Sequence, residues 1–125
     1  LDLIKIGGDA KILLADYHAF LDDRKTPWEE MKIITDYIEI CLKIVLGEDC
    51  EKIKFVRGSE FQTKKEYIED LFLISSMVTT KRAIRAASEV VRIKESPLVS
   101  SLLYPLMQIL DAKYLEIYEK YRKGL

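Results

Sequence analysis

Apolar and polar positions along this chain fall into blocks whose period switches between helix and strand. Leu1 to Ile6 mixes apolar and charged residues and reads as the end of a helix, stopped by Gly7-Gly8. Lys11-Ile12-Leu13-Leu14-Ala15 is a nearly continuous apolar run, as expected of a strand covered on both faces. Thr26-Pro27-Trp28-Glu29 predicts a helix start: Thr26 caps, Pro27 fits the first turn and Glu29 completes a capping box. Ile33, Tyr37, Ile40, Cys41 and Ile44 then follow at helical spacing up to Gly47. Ile53-Lys54-Phe55-Val56-Arg57 alternates as a second strand ended by Gly58. Thr63-Lys64-Lys65-Glu66 is another capping box, opening a helix with Tyr67, Leu71, Ile74 and Val78 on one stripe. Thr79-Thr80 breaks that helix, and a basic helix follows from about Lys81 to Lys94. Ser96-Pro97 caps and starts a last helix.

The order strand, helix, strand, helix predicts an α/β unit with a parallel sheet of the doubly wound, Rossmann-like kind and flanking helices. Ligands of such sheets sit beyond the carboxyl ends of the strands. There this chain carries Asp16-Tyr17-His18 and Gly58-Ser59-Glu60-Phe61-Gln62, both polar. The last helix adds Tyr104, Gln108 and Asp111 at i, i+4 and i+7, which stacks them on one face. Three hydrogen-bonding groups on an otherwise apolar helix make poor core design without something polar opposite. They suit the reading of a hydroxyl on a small ligand.

Composition narrows the picture. The chain has 125 residues, 49% hydrophobic and 33% charged, enough for one compact domain and inconsistent with disorder. Its net charge of −1 gives no global field toward nucleic acid or membrane, so any such contact is local. Cys41 and Cys50 have no metal spacing and read as reduced thiols of a cytoplasmic protein. No run approaches a membrane span, so no membrane role is expected. The N-terminus has neither a secretory signal nor an initiator Met, and the chain reads as a fragment or processed piece.

Leu13-Leu14-Ala15-Asp16-Tyr17-His18-Ala19-Phe20-Leu21 resembles the "LLADLHAYL" element of archaeal and eukaryotic tyrosyl-tRNA synthetases. Gly58-Ser59-Glu60-Phe61-Gln62 is similar to that family's "GSEFQ", and Tyr104 to Asp111 to its "YPxMQxxD" tyrosine-recognition helix. The three stand in family order, and the resemblance covers about Leu1 to Leu115. It implies residues 1–125 of a partial class I catalytic domain, with 67–94 as the helix-rich connective insertion. It further implies that Tyr104, Gln108 and Asp111 contact a substrate tyrosine. Gln108 would hold the amino group and Asp111 would accept from the phenol. Leu13, His18, Phe61 and Gln62 would line the pocket. The insertion would form a homodimer contact and meet the acceptor end of tRNA(Tyr) through Lys81, Arg82 and Arg85, with Arg92 adding charge. Arg85 corresponds best to a residue that reads the first acceptor base pair. ATP with Mg would be a substrate, with no tightly bound cofactor and no metal site.

The family's nucleotide-binding "HIGH" and "KMSKS" elements have no counterpart in this sequence, and Glu116 to Leu125 reads as a helical continuation where the family turns to a strand. No catalytic residue is therefore assigned, and the isolated chain is expected not to form an adenylate. The alternative is a non-catalytic synthetase-derived module for dimerisation or tRNA binding. Taken without the resemblance, each feature has a plainer reading. A single histidine is more often structural than catalytic. A basic helix face is usually just solvated, and the Tyr114, Tyr118, Tyr121 stripe is more simply packing.

Overall fold

The computed structural model describes residues 2–22, 26–90 and 97–116. Two strands, β1 (Ala10–Leu14) and β2 (Ile53–Arg57), pair in parallel, with Ala10 opposite Ile53 and Leu14 opposite Arg57. Helix α1 (Asp2–Lys5) precedes β1. The crossover runs through α2 (Asp16–Leu21) and α3 (Met31–Leu46). Beyond β2 lie α4 (Lys65–Met77), α5 (Thr80–Val90) and α6 (Val99–Tyr114). The parallel pair with covering helices is the expected α/β arrangement. Gly7 at φ 82° ends α1 and Gly47 at φ 58° ends α3, both in the backbone region that glycine enters most readily.

The core lies where α4 and α6 meet the carboxyl ends of the strands. Phe61, Tyr67, Leu71, Leu106, Met107 and Leu110 are buried together, with Leu13, Val56, Ile74 and Val78 packed on them. Tyr67, Leu71, Ile74 and Val78 thus form the inward stripe of α4, as their spacing predicts. Lys113 Nζ and the Tyr114 hydroxyl both donate to Asp70 Oδ2, at 2.6 and 2.8 Å, which ties α4 to the end of α6.

The structure corrects several sequence expectations. Helix α3 starts at Met31 rather than near Pro27, with no side-chain cap. Pro27 to Glu30 instead form a turn, with the Glu30 N–H on the Pro27 carbonyl at 3.1 Å. Trp28 explains the delay, since its ring stacks on Tyr17 at 5.7 Å and meets Phe20 edge-on at 5.2 Å. Helix α4 starts at Lys65, and Thr63 caps nothing. The preceding residues are held by backbone bonds from Phe61 and Gln62 to the Gly58 carbonyl, at 3.1 and 2.9 Å. Helix α6 starts at Val99, and Ser96 lies outside the described residues.

The apolar stripe of α3 also differs. Ile33, Tyr37, Ile40 and Ile44 are exposed, while Met31 and Thr35 are buried. The opposite face, with Met31, Ile34, Thr35, Ile38 and Leu42, faces the sheet across a cavity of about 210 Å³. Arg57 of β2 reaches Asp36 and Glu39 at 2.6 and 2.5 Å and fixes this orientation. Helix α6 ends at Tyr114 and Glu116 sits at φ 63° in a turn, while residues 117–125 of the expected helical continuation lie outside the described residues. Lys11 of β1 donates to the Leu115 carbonyl and to Glu116, each at 3.1 Å, which holds that turn. Tyr118, Tyr121, Arg92 and Lys94 lie outside the described residues.

Candidate functional site

Asp16, the first residue of α2, pins the two strand ends together. Its Oδ1 accepts from the Tyr17 N–H after β1 and from the Ser59 N–H after β2, each at 2.9 Å. Gly58 fits beneath this junction because it lacks a side chain. A Cβ there would stand 2.5 Å from Gln62 Oε1 and 2.8 Å from Asp16 Oδ1.

Above the junction four polar side chains converge from four segments. They are His18 of α2, Gln62 after β2, Tyr67 of α4 and Asp111 of α6, with exposures of 4%, 2%, 0% and 4%. Asp111 Oδ1 accepts from Gln62 Nε2 and from the Tyr67 hydroxyl, both at 2.8 Å. The Tyr67 oxygen also stands 3.1 Å from the Met107 carbonyl. Asp111 Oδ2 faces His18 Nε2 at 3.5 Å. His18 Nδ1 lies 3.4 Å from Gln62 Nε2. His18 Nε2 and Gln62 Oε1 are buried and have no hydrogen-bond partner among the described residues.

Burial sets the protonation states. It pushes the His18 pKa below its ordinary 6.5, against the opposing pull of Asp111, the Tyr104 backbone and Asp16. A neutral ring that accepts from Gln62 at Nδ1 and carries its proton on Nε2 suits both neighbours. Burial and the Asp111 carboxylate push the Tyr67 phenol up, so it stays a donor. The arrangement is a buried carboxylate with one oxygen held by two donors and the other facing the His18 Nε2 at 3.5 Å. Oδ2 thus keeps acceptor capacity for one further donor, such as a hydroxyl.

The sequence-derived residues divide. His18, Gln62 and Asp111 join in one cluster. Tyr104 is half-buried, with its ring edge-on to His18 at 4.6 Å. Phe61 is buried beneath, 5.7 Å from the Tyr67 ring. Leu13 packs on the core. Gln108 is exposed. Lys81, Arg82 and Arg85 lie exposed on α5, whose Ala83 and Ala87 are buried. Tyr67 is the member that sequence reasoning missed, because it sits on an ordinary apolar stripe. Its hydroxyl was the signal: a buried tyrosine needs a polar partner. Among the described residues no group of three His, Cys, Asp or Glu could hold a metal ion. No described helix is long and apolar enough to cross a membrane.

Residues 1–117 match the family model described as tRNA synthetases class I (W and Y). The chain is 45% identical over 119 residues to the cytoplasmic tyrosine–tRNA ligase of Gallus gallus, covering 93% of this chain and 23% of that protein. It is 41% identical to the cytoplasmic enzyme of Saccharomyces cerevisiae, covering 93% and 30%. The crystal structure of the Archaeoglobus fulgidus tyrosyl-tRNA synthetase complexed with L-tyrosine superposes with a TM-score of 0.82 at 42% identity, over 91% of this chain and 35% of that one. The Aeropyrum pernix synthetase superposes at 0.69 with 27% identity, over 92% and 34%. The chain thus spans between about a quarter and a third of the length of these relatives.

Proposed function

Because this chain belongs to the class I tRNA synthetase family of the tryptophan and tyrosine enzymes, we propose that it forms the tyrosine-recognition half of a tyrosine–tRNA ligase site. The observation that carries this reading is the Asp111 carboxylate, buried with Oδ1 saturated and Oδ2 turned to His18. A tyrosine phenol would donate to Oδ2. Phenylalanine would desolvate the same carboxylate and return nothing. Tyrosyl-tRNA synthetases are the type case of discrimination by an unpaired buried polar group. An indole N–H would have to reach this carboxylate from a different position, so the geometry favours tyrosine over tryptophan.

In the complete enzyme, tyrosine is activated by ATP with Mg and passed to tRNA(Tyr). Positioning and charge stabilisation would carry most of that chemistry. Tyr104 and Gln108 would meet the amino-acid end of the ligand, with Leu13, Phe61 and Gln62 as the wall. Lys81, Arg82 and Arg85 would neutralise acceptor-stem phosphates. Residues 67–94 would act as the connective insertion and homodimer contact. The exposed Phe72, Leu73 and Met77 on α4 support that role. A cytoplasmic location fits the names of the eukaryotic relatives. The family match over residues 1–117 and the names of the relatives support a ligase piece over a stand-alone dimerisation or tRNA-binding module. Calorimetric titration with L-tyrosine and L-phenylalanine tests the reading: tyrosine should bind more tightly, and equal affinities would refute it.

A further inference from the structure

We propose that the outer face of α3 is a self-association surface, on which two copies of this chain pack with their α3 helices antiparallel. Ile33, Tyr37, Ile40 and Ile44 are 70%, 67%, 58% and 75% exposed. Their spacing of four, three and four residues places them along one seam, as in a two-heptad coiled-coil stripe. Scattered exposed apolar residues are ordinary, but a continuous strip over three turns is the mark of an interface.

The flanks of the seam identify the occupant. On one side stand Asp36 and Lys43, seven residues apart and so at equivalent positions. On the other side stands Cys41, only half-buried. In an antiparallel pair, Tyr37 opposes Ile40 of the second copy and Ile33 opposes its Ile44. The same register sets Asp36 against Lys43 of the second copy, twice by symmetry. A parallel pair would set Asp36 against Cys41 and leave the charges unmatched. The strip is therefore complementary to itself in one direction, as a two-fold contact requires. Both charges are already held at the flank, Asp36 by Lys32 at 2.7 Å and Arg57 at 2.6 Å, and Lys43 by Glu39 at 2.7 Å. The seam is ~16 Å long, which fits weak, concentration-dependent pairing. It lies outside residues 67–94, so it is a surface additional to the proposed insertion contact.

Sedimentation velocity on the 125-residue chain, from micromolar to near-millimolar loading, tests this. The wild type should associate reversibly. Ile40→Asp and Ile44→Asp should each weaken association by at least about tenfold, while Phe72→Asp leaves the α3 contact in place. Lys43→Asp should weaken it as well, and adding Asp36→Lys to the same chain should restore it. Circular dichroism melts check folding, particularly for Asp36→Lys, which leaves Arg57 only Glu39. A wild type that stays monomeric throughout would overturn the proposal and leave the strip to a different partner. So would association of the Phe72→Asp chain that survives the further change of Ile40→Asp or Ile44→Asp. Failure of the double charge swap in a folded protein would overturn the antiparallel register.

Discussion

The Tyr67 hydroxyl, carried by α4, donates to Asp111 Oδ1 of α6 at 2.8 Å, and neither residue is more than 4% exposed. This one bond joins the core stripe of one helix to the polar face of another. It also decides which carboxylate oxygen remains for a ligand. Tyr67→Phe keeps the ring and removes the donor, leaving Gln62 as the donor to Oδ1 among the described residues. Urea unfolding should show a drop in stability of roughly 1–3 kcal/mol. A drop under a few tenths would mean that the bond contributes little to the fold.

Gly58→Ala probes the junction under the cluster. The added Cβ would collide with Gln62 Oε1 and Asp16 Oδ1 at 2.5 and 2.8 Å. Gln62 has 2% exposure and little room to yield. Thermal melts should show destabilisation of at least about 1 kcal/mol, and tyrosine binding should weaken in parallel. A neutral melt with unchanged binding would mean that Gln62 is not fixed by this packing.

The pH dependence of stability should carry a His18 signature. The folded pKa lies below the ordinary 6.5, so the unfolded chain takes up the proton first as pH falls. This contribution is complete above 6.5 and declines as pH drops below it toward the folded value. His18→Gln should flatten the change in urea midpoint between about pH 7.5 and 5.5. The carboxylates Asp36, Glu39 and Asp70, held down mainly by hydrogen bonds from Lys32, Lys43 and Lys113, act only at lower pH. His18 is the only histidine, so its imidazole nitrogens can be followed by NMR without assignment ambiguity. A wild-type ring that titrates at or above 6.5 would contradict the buried neutral state.

Replacing Lys81, Arg82 and Arg85 together with Ala should weaken binding to an acceptor-stem RNA. The slope of log affinity against log salt should become shallower by about 0.7–0.9 for each phosphate left without its cation. An unchanged slope would make the α5 charges an ordinary solvated face.

Much of this architecture is legible in the residues, for physical reasons. The strand boundaries follow from short apolar runs ended by polar residues, and the inward stripe of α4 from its spacing. Local capping places two helix starts too early, at Thr26 and Thr63. In both places long-range packing, of Trp28 on Tyr17 and of Phe61 and Gln62 into the core, outweighs it. The orientation of α3 is not legible, because both of its faces are apolar and the Arg57 clamp that selects one comes from a distant strand. On α6 the i, i+4, i+7 pattern groups Tyr104, Gln108 and Asp111, but spacing alone cannot say that Gln108 faces solvent. Tyr67 is hidden because a stripe position announces burial and is silent about a hydroxyl.

The central claim is that Asp111 reads a phenol. It is tested most directly by the ratio of tyrosine to phenylalanine affinity in the wild type and in Asp111→Ala, with Asp111→Asn as the variant that keeps the shape and a neutral acceptor. The wild type should prefer tyrosine, Asp111→Asn should prefer it less, and Asp111→Ala should not distinguish the two. A folded Asp111→Ala protein with the wild-type ratio would contradict the account.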